Sequence, residues 1–376
     1  MTTTKIPWTD LRPGEDAEAI DTAIRRVLDR GWFVLGPEGE AFETEFAQAT
    51  TSKHTVTVAS GTDALTLILR ALGIGPGDEV ITTALSAVYT AQAVMMAGAR
   101  PVFADIDPER LTLDPAAVAA LVGPRTAAVL PVHLYGQPAN LAALTALTQR
   151  HGLALIEDCC QSHLATCDGV PVGTTGVAAA YSFYPTKNLG AFGDGGAVCT
   201  GDTALAARIR LLRNGGQTAR DQHTEPASHS RLDELQAAVL RARLPYLPAW
   251  TARRRALAAR YRDGLSGSTV RIPPQQDAGH VYHLFPVRTR ARDELRAHLR
   301  ARDIDTLVHY PMPMPAQPAF ASAAPQRCPV ADIVCDELVS LPLYPGLDES
   351  AVARVIEAVA CAPLGTTAPA GPPPPR

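Results

Sequence analysis

The stretch AAAYSFYPTKNLGAFGDGGAV, residues 178–198, joins two short apolar runs through a lysine-bearing loop and a glycine-rich turn. Val177–Phe183 has the length and apolar continuity of a buried strand, and Gly196–Thr200 reads as the next. Pro185 ends the first run, because proline cannot donate to a sheet ladder. Thr186 and Lys187 follow in the loop, and no other charge appears until Asp194. A lone lysine is ordinarily a solvated charge. In an apolar pocket its pKa falls, and the free amine can condense with a carbonyl as an imine. GDGG precedes a strand, not a helix, so it fails the test for a dinucleotide-binding loop.

Upstream, LALIEDCCQSH (153–163) puts Glu157 and Asp158 at the end of another buried strand. A carboxylate there needs a partner. A protonated pyridine nitrogen is one, and an Asp paired with it keeps such a ring an electron sink. A helix-capping Asp accounts for the segment equally well. Gln161 lies within reach of the same place. Further upstream, SGTDAL (60–65) follows a β-branched run, His54–Ala59, and opens a helix. Free N–H groups at a helix start suit a phosphate, with Gly61 and Thr62 as the contacts. A plain capped start, with Ser60 or Thr62 as the cap, fits these residues as well. The order is phosphate cradle, acid, lysine, which is the layout a pyridoxal-5′-phosphate (PLP) site requires on a sheet that binds ligands beyond its strand ends.

The same rhythm runs through the first 245 residues. Helical periodicity over Ala17–Asp29 stops at Gly31, and a second helix spans Glu38–Thr50. EVITT, RPVFADID, Ala127–Pro131 and Leu153–Glu157 read as strands, with helices over Asp63–Leu72, Ala87–Ala97 and Leu141–His151. Alternating apolar strands and helices predict an α/β unit with a mainly parallel sheet covered on both faces. After LPYLPAW (244–250) the pattern changes to a long basic helix, Trp250–Gly264, a strand, Val281–Val287, a helix, Arg292–Ala301, and the proline-rich loop HYPMPMPAQPAF (309–320). The expected organisation is a large unit, 1–245, a smaller α+β unit, 246–364, with the N-terminal helix set against it, and a disordered proline-rich tail, 365–376.

The chain has 376 residues, 46% of them hydrophobic, with 34 basic and 38 acidic residues for a net charge of -4. That balance leaves no basic footprint for nucleic acid. No apolar run reaches membrane-spanning length, and the N-terminus lacks a signal-peptide core, so a cytoplasmic location is expected. Seven cysteines, odd in number and without CxxC spacing, predict free thiols and no metal site.

Together, SGTDAL, PVHLYGQP, IEDCCQSH, YSFYPTKNLGAFGDGGAV, RNGG, SRLDELQAAVL and HYP occur in an order that resembles the DegT/DnrJ/StrS family of fold-type I PLP enzymes, from about Trp32 to Ala360. The resemblance implies that Lys187 holds the cofactor as an imine and moves protons. It implies that Asp158 pairs with the pyridine nitrogen and Gln161 contacts the ring hydroxyl. Gly61, Thr62 and Ser182 are implied to hold the phosphate, and Tyr184, Arg231, His309 and Tyr310 to lie near the sugar nucleotide or the carboxylate donor. Two positions depart from the family pattern. An aromatic residue that stacks on the ring is replaced by Ala87, leaving Tyr89 or Leu85 to cover it. An Asn reaching the neighbouring subunit's phosphate is His229, which can also donate to phosphate. A homodimer is implied, with RNGG and the 217–230 loop reaching the partner.

The implied reaction is ping-pong transfer of an amino group from an amino acid, glutamate, to a nucleotide-linked keto-deoxysugar, in amino-sugar or secondary-metabolite biosynthesis. A keto-cyclitol acceptor is the alternative within the same chemistry. A sugar dehydrase of the same family would carry histidine in place of Lys187. A non-catalytic regulator would have no reason to keep Lys187, Asp158 and Ser182 together.

Overall fold

The computed structural model describes residues 5–323 and 325–364. Its central sheet contains β1 (His54–Val58), β2 (Glu79–Thr83), β3 (Arg100–Ala104), β4 (Thr126–Leu130) and β5 (Ala154–Asp158). A short hairpin, β6 (Thr166–Cys167) and β7 (Val170–Pro171), precedes β8 (Ala178–Ser182) and β9 (Gly196–Thr200). The strand order is β1-β9-β8-β5-β4-β2-β3. β9 is antiparallel to both its neighbours, and the other pairings are parallel. The carboxyl ends of six strands therefore fall on one edge, and β9 begins there.

Adjacent residues of these strands enter different layers, as the pleat requires. Ile81, Val129, Leu155 and Ala197 face one core; Val80, Ala128, Ile156 and Val198 face the other. On the first face lie α2 (Pro37–Thr50), α6 (Leu141–His151) and α8 (Glu234–Arg243). The second carries α3 (Gly61–Ala71), α4 (Tyr89–Met96) and α7 (Thr203–Arg213). α5 (Pro115–Leu121) adds Val118 to the first core. This is the mainly parallel, doubly covered sheet that the apolar runs predict.

The sequence expectation for α1 (Ala17–Arg30) is corrected. Its buried stripe, Ala23 and Val27, packs on Ala238 of α8, within the first 245 residues. The segment that reaches the C-terminal elements is shorter: Ile6 bridges to Ile304 and joins their core. Gly31 does stop α1, in a left-handed conformation with φ +68°.

A second core lies between α9 (Leu247–Gly264), the antiparallel pair β12 (Phe285–Arg288) and β13 (Leu338–Leu341), α10 (Arg292–Arg300) and α12 (Glu349–Ala360). α11 (Pro329–Glu337) packs instead with Leu85 and Phe103 of the first unit. β12 begins four residues later than the apolar run predicts. Three residues of 281–284 give their N–H groups to the turn after β4: Val281 donates to the Gly136 carbonyl at 3.1 Å, and His283 and Leu284 to that of Tyr135 at 2.8 Å and 3.4 Å. The segment is thus tied to the sheet edge instead of pairing in a strand. A small ribbon pairs β10 (Gln217–Ala219) with β11 (Gln222–His223). The expected proline-rich tail lies outside the described residues.

Candidate active site

Lys187 sits in the loop between β8 and β9, on the edge where the strand ends converge. Phe183, at the base of this loop, is fully buried, with its ring centroid 5.2 Å from those of Phe42 and Phe46. Its N–H donates to Gly195 and its carbonyl accepts from Ala191, both at 2.7 Å, which closes the loop on itself. The chain has only three lysines. Lys5 pairs with Asp305 and Lys53 donates to Thr203. Lys187 has no ion pair among the described residues. Desolvation holds its ammonium below the ordinary lysine value, against the opposing pull of Cys160 and Asp158.

Glu157 and Asp158 diverge, as neighbours on a strand must. The Glu157 carboxylate accepts from the N–H groups of Gly173 (2.8 Å), Thr175 (2.9 Å) and Gly176 (2.7 Å) and lies 3.0 Å from His133 Nε2. His133 Nδ1 accepts the Ala139 N–H at 3.0 Å, so Nε2 carries the proton and donates. Burial alone would raise the Glu157 carboxyl, but His133 and the Gly176 and Gly173 amides hold it below its ordinary value. Cys159 lies close to this pair. Both histidine nitrogens are committed and the carboxylate is saturated with donors, so the pair is a hydrogen-bonded network with no imidazole nitrogen or carboxylate lone pair left for a metal.

Asp158 faces the lysine side. Its Oδ2 accepts from Thr90 Oγ1 at 2.9 Å and its Oδ1 from the Cys160 N–H at 3.1 Å. No helix follows Asp158, which removes the capping explanation. A carboxylate accepts about four hydrogen bonds; this one keeps capacity for a further N–H donor. Gln161 accepts the Tyr135 N–H at 2.8 Å through Oε1, which turns its amide nitrogen to the Tyr310 hydroxyl at 3.1 Å. Asp158, Cys160 and Tyr89 all act on the Tyr310 phenol, so these groups share one site.

At the start of α3, Ser60 is the cap, its Oγ accepting the Asp63 N–H at 3.1 Å. The first-turn N–H groups of Gly61 and Thr62 remain for a ligand. A Cβ on Gly61 would lie 2.7 Å from Cys160 Sγ and 2.9 Å from Ser182 Cβ, and one on Gly196 would lie 2.3 Å from the Ser60 carbonyl carbon. Both glycines are needed for β9, the Ser182 strand end and the α3 turn to meet. The narrow cradle so formed, the carboxylate with spare capacity and the partnerless lysine fit a PLP molecule by phosphate, ring nitrogen and aldehyde.

Three imidazoles surround Lys187. Desolvation, reinforced by the Lys187 charge, pushes His309 down to about 4, His163 down to about 3, and His283 well below its ordinary value. All three are neutral at pH 7. His309 Nδ1 is hydrogen-bonded to Ser340 Oγ at 2.9 Å, and its carbonyl accepts from the Tyr135 hydroxyl. His283 Nδ1 is 3.1 Å from Asn188 Oδ1, while Asn188 Nδ2 donates to the Val281 carbonyl at 3.2 Å. Asn188 thereby ties the lysine loop to the 281–284 segment.

The other sequence candidates have different surroundings. Tyr89 begins α4 and is 60% exposed, whereas Leu85 is sealed in a core below it. Tyr184 is 51% exposed and contributes its carbonyl to the Lys187 N–H at 2.8 Å. Arg231 donates to Asn214 Oδ1 at 3.3 Å. His229 is exposed, with its ring over Gly215, and shares no hydrogen bond with the Lys187 group among the described residues. Its neighbour Ser230 is anchored at the cradle, accepting from Ala59 N–H (3.0 Å) and donating to Asp63 (2.9 Å). Sequence reasoning passed over Thr90, Asn188, His283 and Tyr135, whose partners lie 26 to 174 residues away.

Residues 15–360 match the DegT/DnrJ/EryC1/StrS aminotransferase family. This chain belongs to that family. A DegT/DnrJ/EryC1/StrS relative, the dTDP-3-amino-3,4,6-trideoxy-alpha-D-glucose transaminase of Streptomyces venezuelae, is 50% identical over 95% of this chain and 96% of its own length. The crystal structure of S. venezuelae DesV in complex with a ketimine intermediate superposes with a TM-score of 0.92, at 49% identity over 95% of this chain and 98% of that one. NtdA from Bacillus subtilis with bound cofactor PMP gives 0.90 at 29% identity, covering 96% of this chain and 85% of that one. The family and these neighbours make this chain a fold-type I aminotransferase. Among the described residues, no helix is long and apolar enough to cross a membrane.

Proposed function

We propose that this enzyme is a PLP-dependent transaminase that carries an amino group from L-glutamate to a nucleotide-linked 3- or 4-keto-deoxysugar, in amino-sugar or secondary-metabolite biosynthesis. The observation that carries the reading is the partnerless, desolvated Lys187 sharing one sheet edge with the under-committed Asp158 carboxylate. The half-identical relative named for a dTDP-3-amino sugar supports the acceptor class.

Lys187 Nζ would hold the resting cofactor and, when free, would take and return the proton at the donor α-carbon. When bound, PLP supplies the electron sink that stabilises negative charge at that carbon. Asp158, oriented by Thr90 and the Cys160 N–H, holds the ring N–H. Gln161, oriented by Tyr135, faces the ring hydroxyl. Gly61 and Thr62 N–H groups and Ser182 would hold the phosphate, and the exposed Tyr89 is the aromatic side chain that would cover the ring. Tyr184, Arg231, His309 and Tyr310 line the substrate side. Neutral His309 and His283 spare the site further positive charge beside Lys187. A division near residue 245 fits the separate C-terminal core and sets the substrate site between two units. A homodimer, in which His229 and the 217–230 loop reach the partner's site, is supported by the exposed aromatic side chains of Trp32, Phe33, Tyr184 and Phe192.

The test is incubation of the PLP-loaded enzyme with L-glutamate and dTDP-3-keto-4,6-dideoxyglucose. The expected products are 2-oxoglutarate and the dTDP-3-amino sugar, seen by mass spectrometry. Turnover of a keto-cyclitol in preference to every keto-sugar nucleotide tried would overturn the acceptor assignment.

A further inference from the structure

Arg254, on α9, is a buried cation with no acid partner among the described residues. It is 5% exposed. Its Nη1 donates to the carbonyls of Leu343 (2.9 Å), Tyr282 (3.3 Å) and His283 (3.4 Å). Nε is sealed from solvent without a hydrogen-bond partner, and Nη2 makes no hydrogen bond among the described residues. Desolvation alone acts on its charge and brings the pKa down to about 10, so the group stays cationic at neutral pH.

Arg254 lines a cavity of about 660 Å³ that also contains Lys187. The cavity's other arginines are neutralised: Arg243 by Asp16 at 3.0 Å, Arg12 by Asp10 at 2.6 Å, Arg253 by Glu349 at 3.3 Å. Arg254 and Lys187 both act on His163 and His283, so the two cations flank the same pair of imidazoles. A buried guanidinium without a counter-ion is costly, and an anion entering beside it removes that cost. The backbone carbonyls occupy Nη1 and Nε is sealed, which leaves Nη2 as the donor that can meet a carboxylate oxygen entering the cavity. One guanidinium also matches a monoanion better than a nucleotide diphosphate.

We infer that Arg254 is the anchor for the α-carboxylate of the amino donor, holding it in this cavity with its amino group towards Lys187. The assignment rests on the transaminase function and adds the donor subsite to it.

The test compares wild type with Arg254→Gln and Arg254→Lys, the second keeping donors for the three carbonyls. Single-turnover conversion is measured for L-glutamate, for 4-aminobutyrate, which lacks the α-carboxylate, and for the keto-sugar nucleotide in reverse. Wild type is expected to favour L-glutamate about 100-fold, and Arg254→Gln to bring that ratio within a few-fold, with Arg254→Lys between them. The nucleotide-sugar half-reaction stays within about 2-fold, and calorimetry shows succinate, an unreactive dicarboxylate, binding the holoenzyme about 30-fold more weakly in Arg254→Gln. An equal fall for both amines, or loss confined to the nucleotide-sugar step, overturns the assignment. If Arg254→Gln does not fold, a wild-type preference near one overturns it equally. Wild-type protein that converts no amino donor refutes the transaminase function instead, and the succinate titration then still decides whether Arg254 binds a carboxylate.

Discussion

Glu157 and Asp158 are consecutive, yet replacing each by its amide has opposite consequences. Glu157→Gln puts an NH2 group against an array built to donate: three backbone N–H groups at 2.7–2.9 Å and His133 Nε2 at 3.0 Å. Hydrogen bonds to a charged group contribute about 1.5–3 kcal/mol each, and the amide forfeits the two made at one carboxylate oxygen. Cofactor-free Glu157→Gln is expected to lose about 3–5 kcal/mol of unfolding free energy in urea denaturation followed by circular dichroism. Asp158→Asn keeps an oxygen for Thr90 or the Cys160 N–H, so its loss is about 1 kcal/mol. It removes the negative charge facing the cofactor ring, however, and weakens PLP binding about 30-fold or more, read from the visible band during titration. The pH dependence separates them further. The folded Glu157 carboxyl is held below its ordinary value of 4.5, so its stabilisation is full above that value and disappears as pH falls through the lower folded value. Glu157→Gln lacks that acid limb. A Glu157→Gln protein as stable as wild type, or an Asp158→Asn protein that unfolds as readily and still binds PLP, would refute the division of labour.

Borohydride reduction of the PLP-loaded protein, followed by peptide mapping, is expected to fix the cofactor on Lys187; a label on Lys5 or Lys53 would remove the site described. Burial holds Lys187 below the ordinary lysine value of 10.5 while Asp158 opposes this, so the rate of PLP capture by the apoprotein should rise with pH around a midpoint below 10.5. Asp158→Asn should move that midpoint lower still, and an upward move would contradict the electrostatics. Gly61→Ala drives a methyl group into Cys160 and Ser182, a clash of about 1–3 kcal/mol that should appear as PLP affinity weakened roughly 10-fold at nearly unchanged secondary structure. Light scattering of the holoenzyme should return twice the chain mass, and Trp32→Asp should shift it towards the monomer; a wild-type monomer would rule out a shared site.

Much of the sheet and the cofactor-facing side of the site could be read from local pattern. Apolar runs five residues long, glycine at Gly31 and the loop around Lys187 report on neighbours only a few positions away, so α1, α6, β2 and β9 fall where periodicity puts them. Asp158 and Gln161 come forward as candidates because of where β5 must end. Tertiary structure alone decided the rest. Nothing in consecutive residues shows that 281–284 leaves its strand for the turn after β4, because its hydrogen-bond partners lie almost 150 residues upstream. Nor does local pattern show that α1 turns its stripe to α8, or that Glu157 saturates on a loop while Asp158 keeps capacity for a ligand. The charge states around Lys187 belong to the same class. An imidazole at 163, 283 or 309 is neutral because distant segments close over it and exclude water, and Arg254 is unpaired because the fold brings carbonyls to it and no carboxylate. Desolvation is a property of the assembled interior, and sequence states it nowhere.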